Sequence, residues 1–241
     1  MAKILIVLDY YIPGYKSGGP LRTIENLVAR LNGIFEFWIV TRDRDATDTD
    51  PYSNVNVNQW NDVNGAHVWY AAPNTLTLPN LRRLMLAVEP DVVYLNSFFS
   101  TLTIKVLTLR RLRAIPRFPT VLAPRGEFSP GALALKSIKK RPYIFLSSRL
   151  GLYNRLFWQV SSTLEEQELT AVWPGQIRVC IAPDIPTPLS SNDTGVLHAK
   201  TKMVGCASFI FLSRISPKKN LASAIRWMKG LSGDVVLGIY G

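Results

Sequence analysis

The chain has 241 residues, 47% of them apolar, 10% aromatic and 19% charged, a globular composition long enough for one large domain or one and a half ordinary ones. Its two cysteines and two histidines exclude a disulfide framework and argue against a histidine-built metal site or a Ser-His-Asp triad. The net charge of +11 is concentrated: residues 105–155 hold 12 basic residues against Glu127 alone, whereas 1–104 hold 8 basic and 10 acidic, and 156–241 hold 8 and 6. Such a block predicts a polyanionic partner, whether nucleic acid, an anionic membrane face or a phosphorylated substrate.

Only the apolar run Ile4 to Leu8 precedes Asp9. That is too short for a secretion signal, and no run approaches the ~18 apolar residues of a membrane span, so a soluble, cytoplasmic chain is expected. Short runs rich in Val, Ile and Phe predict strands at 3–8, 34–40, 66–70, 91–95, 119–123, 156–160, 177–182, 208–212 and 235–240. Helical patterns fall between several of them, near 20–32, 77–88, 99–113, 132–148, 162–171 and 217–229. This alternation predicts an α/β fold, a Rossmann-like parallel sheet with helices on both faces. The Asp- and Asn-rich stretch 42–65 reads as a long exposed loop. The stretch 183–206, containing PDIPTPLSSNDTG, reads as a linker between a first domain over 1–182 and the start of a second over 207–241. Some 35 residues cannot bury a core of their own, so the expectation is a second domain cut short, or a piece docked on the first.

Three segments at predicted strand ends carry residues suited to chemistry. After the first strand, Pro13-Gly14-Tyr15-Lys16-Ser17-Gly18-Gly19-Pro20 leads into a helix with Leu21, Ile24, Leu27, Val28 and Leu31 at core spacing. Glycines there let backbone N–H groups approach an anion at the positive end of the helix dipole. In Ala123-Pro124-Arg125-Gly126-Glu127-Phe128-Ser129-Pro130-Gly131, the arginine can bind polar substrate as a forked donor and the glutamate as an acceptor or base. Alternatively the two pair and brace the loop. In Ser213-Arg214-Ile215-Ser216-Pro217-Lys218-Lys219-Asn220, Arg214 and Lys219 suit a phosphate. Two D-x-D triplets, Asp43-Arg44-Asp45 and Asp48-Thr49-Asp50, lack an obvious further ligand, and no metal or other cofactor is expected. Within the basic block, Lys136, Lys139 and Lys140 stand at i, i+3 and i+4 of one helix, with Leu135 and Ile138 turned away, Arg141 alongside, and Pro142 ending or kinking the helix.

Taken in order, these three motifs, with Asp91-Val92-Val93-Tyr94-Leu95-Asn96, resemble the group 1 retaining glycosyltransferases (glycosyltransferase family 4, GT-B fold). P-R-G-E followed by S-P-G-A-L is similar to a branch linked with bacterial surface polysaccharides. The resemblance implies transfer of a sugar from a nucleotide-diphosphate-sugar donor to an oligosaccharide or lipid-linked glycan acceptor. It places Gly18, Gly19, Arg214 and Lys219 at the donor diphosphate, and Asn96, Arg125 and Glu127 on the acceptor side of the cleft. It names no enzymic nucleophile, and it implies that the 241-residue chain by itself is inactive. Departures from the family pattern are Asn96 and Gln159 where histidines are common, Asn220 where glycine is frequent, and the lack of a downstream glutamate pair. Lys136, Lys139, Lys140 and Arg141 are the expected contacts to an anionic membrane surface. A basic non-catalytic binding module and a nucleotide-sugar epimerase on the same fold are the alternatives; no nucleic-acid motif is evident, so nucleic acid is not expected as a partner.

Overall fold

The computed structural model describes residues 1–187, 204–213, 215 and 219–240. They divide into two units, Met1–Pro188 and Leu189–Gly241. The first is built on eight strands: β1 (Ala2–Val7), β2 (Phe35–Arg42), β3 (Trp60–Val63), β4 (Ala66–Ala71), β5 (Val92–Asn96), β6 (Thr120–Ala123), β7 (Phe157–Val160) and β8 (Arg178–Ile181). They lie in the order β3-β4-β2-β1-β5-β6-β7-β8, parallel throughout except for the antiparallel pair β3–β4. The helices are α1 (Gly19–Leu31), α2 (Leu78–Val88), α3 (Thr101–Arg111), α4 (Pro130–Ala134), α5 (Ser137–Arg149) and α6 (Thr163–Val172). The chain is thus α/β with a Rossmann-like, mostly parallel sheet.

Alternation along each strand divides the core in two. Ile4 and Ile6 of β1 pack with Ile24 and Val28 of α1, while Leu5 and Val7 face the opposite core with Leu84 of α2 and Val106 of α3. The larger core centres on Phe98, wholly buried, with its ring stacked 4.2 Å from that of Tyr153 and edge-on to that of Phe128 at 4.9 Å.

Several expectations need correction. The stretch 42–65 is not simply an exposed loop, because it contributes β3, whose Trp60 packs edge-on to Trp69 and Trp38, and it buries Asp43 and Asp45. The helix expected over 132–148 is two helices: Leu135 is extended and Lys136 left-handed, after which the Lys136 carbonyl accepts from the Lys139 and Lys140 amides and the helix restarts. Pro142 does not end it; α5 runs through. Leu135 and Ile138 do not turn to the core either, being 56% and 89% exposed, because α5 gives its inner side to Ile144 and Ser147.

The first unit also takes in residues 183–187, read from the sequence as linker. Asn26 Nδ2 donates to the Ile185 carbonyl (2.8 Å) and Arg30 Nη2 to that of Pro186 (3.3 Å). In the second unit, β9 (Cys206–Leu212) and β10 (Asp234–Tyr240) pair in parallel, with α7 (Leu221–Met228) between them in sequence. Among the described residues, no helix is long and apolar enough to cross a membrane.

Candidate functional site

From β1 the chain moves outward to β2 and β4, whereas β5 to β8 extend on the other side of β1. The order therefore reverses between β1 and β5, and the carboxyl ends of these two strands flank the crevice where open α/β sheets bind ligands. Arg42, at the end of β2, ties this region together. Its Nε and Nη2 donate to Asp9 Oδ1 at 3.2 and 3.1 Å, and Nη2 donates to Thr101 Oγ1 at 3.0 Å.

The glycine loop follows β1 directly. Gly18 precedes α1 with φ 72° and ψ −127°, a conformation essentially confined to glycine; a Cβ at Gly19 would meet nothing within 4 Å. The first turn of α1 holds no acidic residue, leaving the positive end of the helix dipole uncancelled. The loop is fixed by Asp45, whose carboxylate accepts from the amides of Tyr15 (2.6 Å), Lys16 (2.9 Å) and Ala46 (2.7 Å). One D-x-D residue thus anchors the loop, and Asp43 is held by Arg44 at 2.8 Å. Burial would raise the Asp45 carboxyl, but the three amides outweigh it and hold it below the usual carboxylate range. Because the folded group titrates below the unfolded one, its contribution is complete above the unfolded pKa and is lost as pH falls through the lower folded value. Asp45→Ala is expected to cost about 1–3 kcal/mol and to speed hydrogen exchange at Tyr15 and Lys16 at neutral pH. Unchanged exchange at both amides would show that Asp45 is not the anchor.

Arg125 follows β6 in a left-handed conformation, φ 58°, which for a residue with a side chain is sustained by what that side chain binds. Its Nε and Nη2 donate to Asn96 Oδ1 at 3.1 and 2.7 Å, Nη2 also to Tyr94 Oη at 2.9 Å, and Nη1 to Asp184 Oδ1 at 2.5 Å. Tyr94 donates in turn to Gln159 Oε1, and Gln159 Nε2 to the Ala182 carbonyl at 2.7 Å. Burial pushes the Tyr94 hydroxyl up, against the pull of the Arg125 cation, so it is a protonated donor at neutral pH. Arginine has only donors, which fixes the Asn96 amide with its oxygen toward Arg125. The Asn96 nitrogen is left buried with no hydrogen-bond partner among the described residues. An unpaired buried donor costs about 1–3 kcal/mol, relieved by any ligand oxygen that reaches it.

Glu127 faces elsewhere. It does not pair with Arg125; it accepts from Ser97 Oγ (2.7 Å) and from the amides of Phe98 (2.5 Å) and Phe99 (3.2 Å), bracing the turn between β5 and α3. Glu165 braces the neighbouring loop, accepting from the Gly126 amide at 2.6 Å and from the Ser161 amide and hydroxyl at 2.7 Å each. Burial raises the Glu127 carboxyl above its ordinary value, despite the Ser97, Phe99 and Phe98 hydrogen bonds and the nearby Lys140. With the folded pKa raised, its stabilisation is fullest below the unfolded pKa and is lost as pH rises through the folded one. In Glu127→Gln the amide oxygen can take both backbone amides and the amide nitrogen can donate to Ser97 Oγ. That variant is expected to lose under about 1 kcal/mol and this pH dependence, whereas Glu127→Ala loses about 1–3 kcal/mol, as measured by urea unfolding. Equal losses in both variants would contradict the brace.

The fold therefore gathers Asn96 and Arg125 into one network at the strand ends, puts Gly18 and Gly19 at the next strand over, and gives Glu127 to the backbone. Arg214 lies outside the described residues; Lys219 is exposed. Lys136, Lys139 and Arg141 are exposed, but Lys140 turns inward, donating to the Ala132 carbonyl at 2.6 Å with its ammonium 5.0 Å from the Phe99 ring. Roles for Tyr94 and Asp184 in binding Arg125, for Gln159 in binding Tyr94, and the Asp9–Arg42 pair were not read from sequence. The position of Asp9 and Arg42 at strand ends was the available signal; Asp184 offered none. Compared with protein-family models and with curated proteins, the chain matches none.

Proposed function

We propose that the first unit is the acceptor-side half of a retaining glycosyltransferase, which moves a sugar from a nucleotide-diphosphate-sugar to an oligosaccharide or lipid-linked glycan. The observation that carries this reading is the Asn96 amide, buried, oriented by Arg125 and with its N–H groups unspent, beside the strand-order reversal where ligands of such sheets bind. Hydroxyl-rich ligands supply the acceptor oxygen that such a donor needs. Within the first unit the donor diphosphate falls to the Gly18–Gly19 turn at the start of α1, as the motif resemblance implies. Positive charge there suits the reaction, because negative charge grows on the diphosphate as the glycosidic bond breaks.

Calorimetric titration of the 241-residue chain with a panel of oligosaccharides and short-chain lipid-diphosphate saccharides tests the reading. Saturable binding by at least one is expected, weakened about tenfold or more by Asn96→Ala. No affinity for any saccharide in the panel would overturn it.

A further inference from the structure

The outer side of α5 carries charge and apolar surface together. Ile138, Pro142, Phe145 and Arg149 form one stripe along the helix, with Arg141 on one flank and Lys139 and Leu146 on the other, and all seven are exposed. Ile138 is 89% exposed, Phe145 59% and Leu146 56%, while Ile144 and Ser147 occupy the buried side. A helix apolar on both sides is ordinarily covered on both, and contiguous exposed apolar surface marks an interaction site. No acidic residue occurs between Glu127 and Glu165, so nothing within this segment cancels Lys136, Lys139, Arg141 and Arg149. A cavity of about 400 Å³, lined by Leu133, Arg141, Ile144, Phe145 and Val172 among others, adjoins the stripe.

Charge and apolarity select the occupant. Nucleic acid would use the cations through its phosphates but has no use for exposed aliphatic side chains. An anionic bilayer uses both: cations meet the headgroups, and apolar side chains pass beneath them into the acyl boundary. The adjoining cavity gives an acyl chain room beside a guanidinium.

We propose that the α4–α5 surface docks the protein on an anionic lipid bilayer, with Lys136, Lys139, Arg141 and Arg149 at the headgroups and Leu135, Ile138, Phe145 and Leu146 inserted among the lipids. Lys140, committed to the Ala132 carbonyl, takes no part. This holds independently of the reaction at the polar site.

Sedimentation of the 241-residue chain with vesicles of phosphatidylglycerol and phosphatidylcholine, compared with phosphatidylcholine alone, tests it. The mixed vesicles are expected to carry the protein down, and Lys136→Gln and Lys139→Gln to lower partition about fivefold each at low salt. Replacing Ile138, Phe145 and Leu146 together by Ser should lower it about tenfold or more at both low and high salt, with retention on heparin resin unchanged. A triple variant that sediments like the parent, or a parent that binds heparin but not mixed vesicles, would overturn the proposal in favour of a soluble polyanion. Should the triple variant lose its far-ultraviolet circular dichroism, Phe145→Trp supplies the second measurement. Brominated lipids are expected to quench its added fluorescence, and quenching no greater than the parent's would overturn the proposal equally.

Discussion

Phe98→Ala is expected to cost about 3–5 kcal/mol of stability, the usual range for deleting a fully buried aromatic ring. The ring is 0% exposed and lies 4.2 Å from Tyr153, 4.9 Å from Phe99 and Phe128, and 6.0 Å from Trp158 between centroids. Those neighbours come from the turn before α3, the loop after β6, the segment before β7 and β7 itself, so a cavity there has no single element that can collapse into it. The backbone of Phe98 is engaged as well, its amide with Glu127 and its carbonyl with the Tyr153 hydroxyl at 2.8 Å. A loss of this size is a large share of the 5–15 kcal/mol that holds a domain together. Urea unfolding followed by tryptophan fluorescence reads it out; Phe98→Leu should recover most of the difference. A loss under about 1 kcal/mol for the alanine variant would mean that the aromatic cluster is not what holds this end of the sheet.

Arg125 variants should separate binding from folding. Arg125→Ala removes the partner of Asn96 Oδ1, Tyr94 Oη and Asp184 at once, and the Asn96 amide is then free to turn. The expected loss of saccharide affinity is about ten- to hundredfold, the worth of a charge-assisted contact of ~1.5–3 kcal/mol. Arg125→Lys keeps the charge and can hold Asp184, but one ammonium cannot span three acceptors that a planar fork reaches together. Lysine should therefore recover part of the stability and little of the affinity, measured by urea unfolding and by calorimetry on the same preparations. Full saccharide affinity in Arg125→Lys would show that the network is a structural brace and not a binding device.

The pattern of residues made much of this fold readable. Unbroken runs such as Ile4 to Leu8 belong to strands covered on both faces, and the strands anticipated from them form, with ends shifted by a residue or two. β3 escaped because Trp-Asn-Asp-Val has too few apolar residues to stand out; it exists through Trp60 packing on its neighbours across the sheet. The break between α4 and α5 escaped because Lys136 adopts the left-handed conformation without a glycine or proline to announce it. The outward turn of Leu135 and Ile138 escaped because amphipathic reasoning assigns apolar residues to the core, and here α5 is apolar on two sides. For the site, the rule that loops at carboxyl ends of strands bind ligands was enough to single out Gly18 and Arg125, whereas Asn96 came from the motif resemblance alone. Their partners were not readable: Arg125 reaches Asn96, Tyr94 and Asp184 across 29 to 59 residues of sequence, distances that only the assembled sheet brings within a hydrogen bond. The same holds for Glu127, which does not pair with Arg125 and whose backbone partners, the amides of Phe99 and Phe98, lie 28 and 29 residues away.

The Asn96 side-chain amide offers the most direct measurement on the proposed acceptor site. In ¹⁵N-labelled protein its two N–H signals report whether an oxygen has reached the buried donor. Titration with the oligosaccharides and short-chain lipid-diphosphate saccharides is expected to move them saturably, with the same midpoint as the calorimetric binding, and Arg125→Ala is expected to abolish the shift. Saccharide binding that leaves both signals in place would contradict the account.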